Sequence, residues 1–245
     1  MIYVLDVDNT LTPPREPMRE EFRAPFVDFC RSNVTYLVTG SDRGKLGQQL
    51  PEEIIRACAG VFTSAGSEFE AGGRIIYQHD YEFSDDLIDW LDETLGESRY
   101  PVRCGRHIEY RTGALNVSTV GRAADKPARK AYLAWDQVHR ERASLCSRIE
   151  QAFPDYEAHV GGEISIDISP RGWNKARIII PIRERHGDAT ITFIGDSIHP
   201  GGNDWPLAEA LRAESSAHVI VPVGNWTDTA DHLALIRPSA RALSA

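Results

Sequence analysis

At 245 residues the chain has room for one large domain or two modest ones, and a hydrophobic fraction of 42% beside a charged fraction of 26% supplies a real core. A net charge of −9 excludes a general nucleic-acid binder, whose phosphate contacts require a basic face. Cys30, Cys58, Cys104 and Cys146 lie far apart and form no CxxC, which excludes a zinc spacing or a disulfide framework.

The first element is IYVLDVDNTLTPPR, residues 2–15, an apolar strand that ends in two aspartates. Alternation puts Asp6 and Asp8 on one face, where they repel unless a cation or proton lies between them. A strand end capping a turn at Asn9 and Thr10 would use the same residues. An uninterrupted apolar strand, however, predicts a buried parallel sheet, and ligands of such sheets bind outside the carboxyl ends of the strands. A strand starting at residue 2 leaves no signal peptide and no apolar run reaches membrane length, so no membrane association and a cytoplasmic location are expected.

EPMREEFRAPFVDFCRS then predicts a helix interrupted or kinked at Pro25. VTYLVTG gives a second strand ending at Thr39, GVFTS a third after short helical material, and GSEFEAGGRIIYQ a hairpin turning at Gly72–Gly73. The middle lacks this alternation. YEFSDDLIDWLDETLG reads as an acidic amphipathic helix, HIEYRTGALNVSTVG as two strands, Asp125–Phe153 as long helical material, and YEAHVGGEISIDISP as two further strands. ATITFIGD and HVIVPV restore continuous apolar strands near the end. The pattern predicts an α/β fold: a Rossmann-like, doubly wound parallel sheet over residues 1–79 and 172–245, interrupted by an inserted α+β module at 80–171.

In such a sheet, strand ends gather in one crevice. Asp6, Asp8 and Thr39 would meet Lys175 of GWNKA, Asp196 of FIGDSIHPGGND, and Asp204 just beyond. Several carboxylates around one ammonium are electrostatically unstable without a hard cation, and oxygen ligands that leave room for water and phosphate suit Mg²⁺. Within the acidic chain, Arg99 to Lys130 holds eight Lys or Arg against only Glu109 and Asp125, either a solvated face or a local anion site.

The order DxDxT, Thr, Lys, GD…ND resembles the haloacid-dehalogenase-like phosphotransferases. DVDNTLTPPR, NVSTVGR, GGEISID, GWNK and GDSIHPGGND further resemble, in order and spacing, the alpha-phosphomannomutase family over nearly the whole chain. The resemblance implies Asp6 as nucleophile and Asp8 as proton shuttle. It implies Mg²⁺ held by Asp6, the Asp8 backbone carbonyl and Asp196, with Asp204 orienting the ligands. Lys175 and Thr39 would stabilise the transferring phosphoryl group. The 80–171 module becomes a cap in which Arg111, Arg122 and Arg129 match phosphate-binding arginines, and Ser165 and Asp167 a sugar-contacting pair. Arg15 matches a core-side substrate arginine, and the resembled family pairs through its caps, so a homodimer is possible by that route. Two departures are Thr39, where the family tends toward glycine, and Asn9, where it usually has glycine. Asparagine tolerates left-handed backbone, so little consequence is expected at Asn9.

The activity expected is a Mg²⁺-dependent phosphohexomutase acting on mannose 6-phosphate through a hexose 1,6-bisphosphate. The alternative is a sugar-phosphate phosphatase that shares the aspartyl-phosphate step. A non-catalytic phosphosugar binder is disfavoured, because binding alone needs neither a nucleophile nor a proton shuttle.

Overall fold

The computed structural model describes residues 1–14 and 16–236 and divides the chain into two compact units, Asp80–Gly172 and the remainder before and after it. In chain order the first unit begins with β1 (Ile2–Asp6), α1 (Glu20–Ser32), β2 (Val34–Val38), α2 (Arg43–Gln49), α3 (Glu52–Ala57), β3 (Gly60–Thr63), β4 (Glu68–Ala71) and β5 (Arg74–Gln78). The second unit holds α4 (Asp85–Gly96), β6 (Ile108–Arg111), β7 (Ala114–Val117), α5 (Lys126–His139), α6 (Glu141–Ala152), β8 (Tyr156–Gly161) and β9 (Ser165–Pro170). The first unit resumes with α7 (Ile179–His186), β10 (Ile191–Gly195), α8 (Trp205–Glu214), β11 (Val219–Pro222) and α9 (Trp226–Ala234).

Among the described residues the first unit is built on a seven-stranded sheet ordered β11-β10-β1-β2-β3-β4-β5. The pairings from β11 to β3 are parallel, and the β4–β5 hairpin extends the edge antiparallel. Its turn is made by Gly72 and Gly73, both at positive φ (57° and 71°), the backbone that a two-residue hairpin loop requires. Strand alternation separates two apolar layers. Tyr3, Leu5, Leu37 and Val61 are buried with Phe22, Phe26 and Ile54 of α1 and α3. Ile2, Val4, Tyr36, Phe62 and Phe193 are buried on the other face with Ile182, Leu207 and Leu211 of α7 and α8. Each such side chain contributes about 1.5–3 kcal/mol by leaving water. Helices on both faces make the core doubly wound.

The second unit is a four-stranded antiparallel sheet, β6-β7-β9-β8. Leu87, Leu91 and Leu95 of α4 and Leu145 and Ile149 of α6 bury one of its faces, lined by Leu115, Val117, Ile166 and Ile168. The residues between these, Asn116 and Asp167, therefore point to the opposite face.

Two helices differ from the sequence expectation. The first starts at Glu20 rather than at Glu16, because Arg19 is extended (φ −65°, ψ 139°), and it runs on through Pro25. The material from Asp125 to Phe153 is two helices, broken where Arg140 adopts a left-handed conformation (φ 53°, ψ 35°). The break is fixed by the buried Asp136–Arg142 pair, 2.8 Å, while Arg142 Nη1 also donates to the Gly162 carbonyl at 2.9 Å.

Candidate active site

Parallel pairing brings the strand ends level. Leu5 faces Ile194 of β10 and Asp6 faces Val38 of β2, so Asp6, Thr39 and Asp196 all emerge at one edge. Lys175 opens a 3₁₀ turn (Lys175–Ile178) whose N-cap, Asn174, accepts the Ala176 N–H at 3.1 Å. From there its Nζ donates to Asp6 Oδ1 at 2.6 Å and to Asp204 Oδ1 at 2.7 Å. All three are buried, with relative exposures of 1%, 3% and 0% for Lys175, Asp6 and Asp204. Asp6 Oδ2 accepts the Thr10 hydroxyl at 3.2 Å, and Asp204 Oδ2 accepts the Ser197 N–H at 3.1 Å. Gly195 makes room for this: a Cβ there would lie 2.5 Å from Asp204 Oδ2.

The charges do not balance. Burial pushes the Asp6 carboxyl up to about 7, with Lys175 opposing and the carboxylates of Asp204 and Asp196 reinforcing the rise. Burial alone would lower the Lys175 ammonium, but Asp204 and Asp6 outweigh it and hold the ammonium above the ordinary lysine range. One positive charge thus serves three carboxylates, those of Asp6, Asp196 and Asp204, each offering an oxygen within 4.8 Å of the others. Hard carboxylate oxygens with unbalanced negative charge fit a Mg²⁺-type cation.

Asp8 is placed differently. Its Oδ1 accepts from Gln49 Nε2 at 3.2 Å, and the same amide donates to Thr12 Oγ1 at 3.2 Å. The Asp8 carboxylate is therefore directed by α2, apart from the three-carboxylate group. Thr39 Oγ1 accepts the Ser41 N–H at 3.0 Å, and the Ala65 N–H donates to the Thr39 carbonyl at 2.9 Å. Ser64 and Ala65 take left-handed backbone there (φ 49° and 53°), strain of the kind that accumulates at functional sites. Asn9 also has positive φ, 64°, as expected of a residue standing in for glycine. Its side chain is not idle, since Nδ2 donates to Asp196 Oδ2 at 3.0 Å and to the Gly224 carbonyl at 3.1 Å.

In the second unit, register aligns Glu109, Asn116, Asp167 and His159 across the four strands. Glu109 Oε2 accepts from Arg122 Nε at 2.8 Å and Oε1 from Arg111 Nε at 3.3 Å. Arg111 Nη1 reaches Asp167 Oδ1 at 3.5 Å, and Asn116 Nδ2 donates to the same oxygen at 2.5 Å. Asn116 Oδ1 is buried without a hydrogen-bond partner among the described residues. Burial raises the Glu109 carboxyl, but Arg122 and Arg111 more than offset this and hold it below the ordinary range. Arg129 is held separately, its Nε on Glu163 Oε2 at 3.2 Å, and the Ser165 hydroxyl donates to the Gly161 carbonyl at 2.9 Å. Arg103 is spent on the carbonyls of Leu95 and Ser98 at the end of α4.

The structure thus gathers Asp6, Lys175, Asp196 and Asp204 into one cluster, and Arg111, Arg122 and Asp167 into another. Arg15 lies outside the described residues. Sequence reasoning gave no site role to Asn9, Thr10, Gln49, Glu109 or Asn116. Asn116 and Glu109 lie within or beside the NVSTVGR and HIEYR stretches, the one signal that could have marked them.

The chain is similar to known proteins over most of its length. A sequence profile of eukaryotic phosphomannomutases matches residues 24–234. A phosphomannomutase from Triticum aestivum is 32% identical over 224 residues, covering 86% of this chain and 87% of the relative. One from Saccharomyces cerevisiae is 31% identical, covering 84% of each chain. Among solved structures, the C-terminal domain of a C. albicans trehalose-6-phosphate phosphatase superposes with a TM-score of 0.61 at 16% identity, over 96% of this chain and 90% of that one. A haloacid dehalogenase-like hydrolase from Bacteroides thetaiotaomicron gives 0.61 at 13% identity, over 95% and 98%. These likenesses place the fold among the haloacid-dehalogenase-like proteins. On the extent and identity of the sequence match, the chain belongs to the eukaryotic phosphomannomutase family.

Proposed function

We propose that the chain is a Mg²⁺-dependent phosphohexomutase that interconverts mannose 6-phosphate and mannose 1-phosphate. The observation that carries this reading is the buried Asp6 carboxylate, held at 2.6 Å by Lys175 beside Asp196 and Asp204. Family membership and relatives named phosphomannomutase support it.

Asp6 is the nucleophile in this reading. A bound cation would be held by Asp6, Asp196 and the Asp8 carbonyl, and it would offset repulsion between Asp6 and an incoming phosphate. Asp204, fully buried with Lys175 on one oxygen and the Ser197 N–H on the other, has in this reading the role of orienting the others. An Asp6 oxygen bonds to phosphorus as the bond from phosphorus to its donor oxygen breaks. Hexose 1,6-bisphosphate loads Asp6 in this way, Asp8 giving its proton to the departing sugar oxygen. Asp8 then takes the proton of the substrate O1 hydroxyl as that oxygen bonds to phosphorus and the Asp6–phosphoryl bond breaks. The bisphosphate reorients, Asp6 takes the phosphoryl group from O6, and Asp8 returns the proton to the departing O6. Lys175 and the Thr39 hydroxyl stabilise the transferring oxygens.

The second unit serves as a cap that holds the non-reacting phosphate on Arg111 and Arg122, with Arg129 as a further cation. Asn116 and Asp167 offer acceptors to sugar hydroxyls, which the unpartnered Asn116 Oδ1 supports. Ser165 and Arg15 belong to the same substrate set, and a homodimer through the cap to the same reading. A second reading, a sugar-phosphate phosphatase, is favoured by the fold's likeness to a trehalose-6-phosphate phosphatase. In that case water instead of the sugar takes the phosphoryl group from Asp6.

One experiment separates the two. Mannose 6-phosphate is incubated with Mg²⁺ and catalytic hexose 1,6-bisphosphate while both isomers and inorganic phosphate are followed by ³¹P NMR. A mutase forms mannose 1-phosphate much faster than phosphate; phosphate forming as fast as the isomer for every hexose tried makes the phosphatase reading correct.

A further inference from the structure

We infer that Asn9 is a positioning residue that fixes the Asp196 carboxylate for the cation, an inference that rests on the cation site proposed above. Asp6 and Asp204 share the Lys175 ammonium, but Asp196 does not. Among the described residues the hydrogen-bond partner of the Asp196 carboxylate is the Asn9 amide, 3.0 Å from Oδ2. That amide has two N–H groups, and its Nδ2 also donates to the Gly224 carbonyl at 3.1 Å. The side chain therefore joins the outgoing ends of β1, β10 and β11, three neighbouring strands.

The chemistry of the donor matters. An ammonium on Asp196 would cancel charge that a divalent cation needs. A neutral amide restricts the carboxylate's rotation and leaves its charge intact, which is how groups behind metal ligands raise affinity. The backbone argument points the same way. Asn9 sits at φ 64°, where glycine is at least as comfortable, so the amide is what asparagine adds at this position. Lys175 organises two of the three carboxylates by charge, and Asn9 organises the third without it.

Asn9→Gly keeps the backbone conformation accessible and deletes only the amide, which makes it the informative variant. Mg²⁺ affinity by calorimetry and Mn²⁺ affinity by electron paramagnetic resonance should fall about 10- to 100-fold, the usual cost of removing such a partner. The Mg²⁺ concentration for half-maximal activity should rise in step, with kcat recovering at saturating Mg²⁺. The melting temperature of the metal-free variant should stay close to that of the parent. Cation affinity within about threefold of the parent, with or without a change in metal-free melting, would overturn the inference while leaving the cation site standing. A parent protein that binds neither Mg²⁺ nor Mn²⁺ would overturn both.

Discussion

The Lys175 ammonium bonds Asp6 at 2.6 Å and, through the same nitrogen, draws Asp204 to 2.7 Å, in a site where all three side chains are buried. Removing one partner of a buried ion pair leaves an uncompensated charge, at a cost of about 3–5 kcal/mol. Lys175→Met should therefore melt well below the parent at neutral pH, and Mg²⁺ should raise its melting temperature more than it raises the parent's. Coincident melts would contradict the electrostatic role given to Lys175.

The same site sets a pH dependence. The folded Asp6 carboxyl is pushed up from 3.8 to about 7, so between those values the folded chain binds more protons than the unfolded one. Stability from this group is then lost as pH rises through that window. Metal-free Asp6→Asn should lack that loss, which urea titrations at pH 5 and pH 8 would reveal. Equal pH dependence in parent and variant would remove Asp6 as its source.

Much of this was legible because it is local or topological. Continuous apolar runs such as YVL and TFI mark strands buried on both faces, and parallel order alone sends Asp6, Asp196 and Thr39 to one edge. Gly72–Gly73 announces its turn because few residues accept that backbone. Other features leave no local mark. The break at Arg140 has neither Gly nor Pro; it depends on the Asp136–Arg142 pair and on carbonyls about twenty residues further along the chain. Asn9 and Asp196 are 187 residues apart, and Gln49 and Asp8 are 41, so their hydrogen bonds exist only once the chain has folded. Glu109 was counted as one of two acids in a basic stretch, whereas register and the two arginines make it the centre of that cluster.

Asp8→Asn should keep the fold, because an amide oxygen can still accept from Gln49 Nε2. Turnover should fall about 10²- to 10⁴-fold, the usual contribution of a positioned acid or base. Cation affinity should be retained, since the Asp8 ligand in this reading is its backbone carbonyl. A variant with the parent's pH–rate profile and rate would exclude Asp8 as the proton shuttle.

Arg122→Ala deletes a guanidinium that Glu109 currently holds at 2.8 Å. A charge-assisted hydrogen bond to phosphate is worth about 1.5–3 kcal/mol, so KM for a phosphorylated hexose should rise about 10- to 100-fold. Hydrolysis of acetyl phosphate, which has no distal phosphate, should change little. Equal losses for both substrates would assign Arg122 to the fold of its own unit.

Gly195→Ala tests the close approach behind the site. The added Cβ would meet Asp204 Oδ2 at 2.5 Å and must displace that carboxylate from Lys175 and Ser197. Stability should fall by about 1–3 kcal/mol, as overpacking does, together with cation affinity. A variant equal to the parent in both would show that Asp204 can move without consequence.

The central claim is that Asp6 accepts the phosphoryl group and passes it on. Mixing the protein with hexose 1,6-bisphosphate and Mg²⁺, quenching in acid and reducing with borohydride converts an aspartyl phosphate to homoserine, which peptide mass spectrometry locates by residue. The account predicts homoserine at Asp6 in the parent and none in Asp6→Asn. Homoserine at another aspartate, or isomerisation by the parent with no acyl phosphate trapped at any quench time, would contradict it.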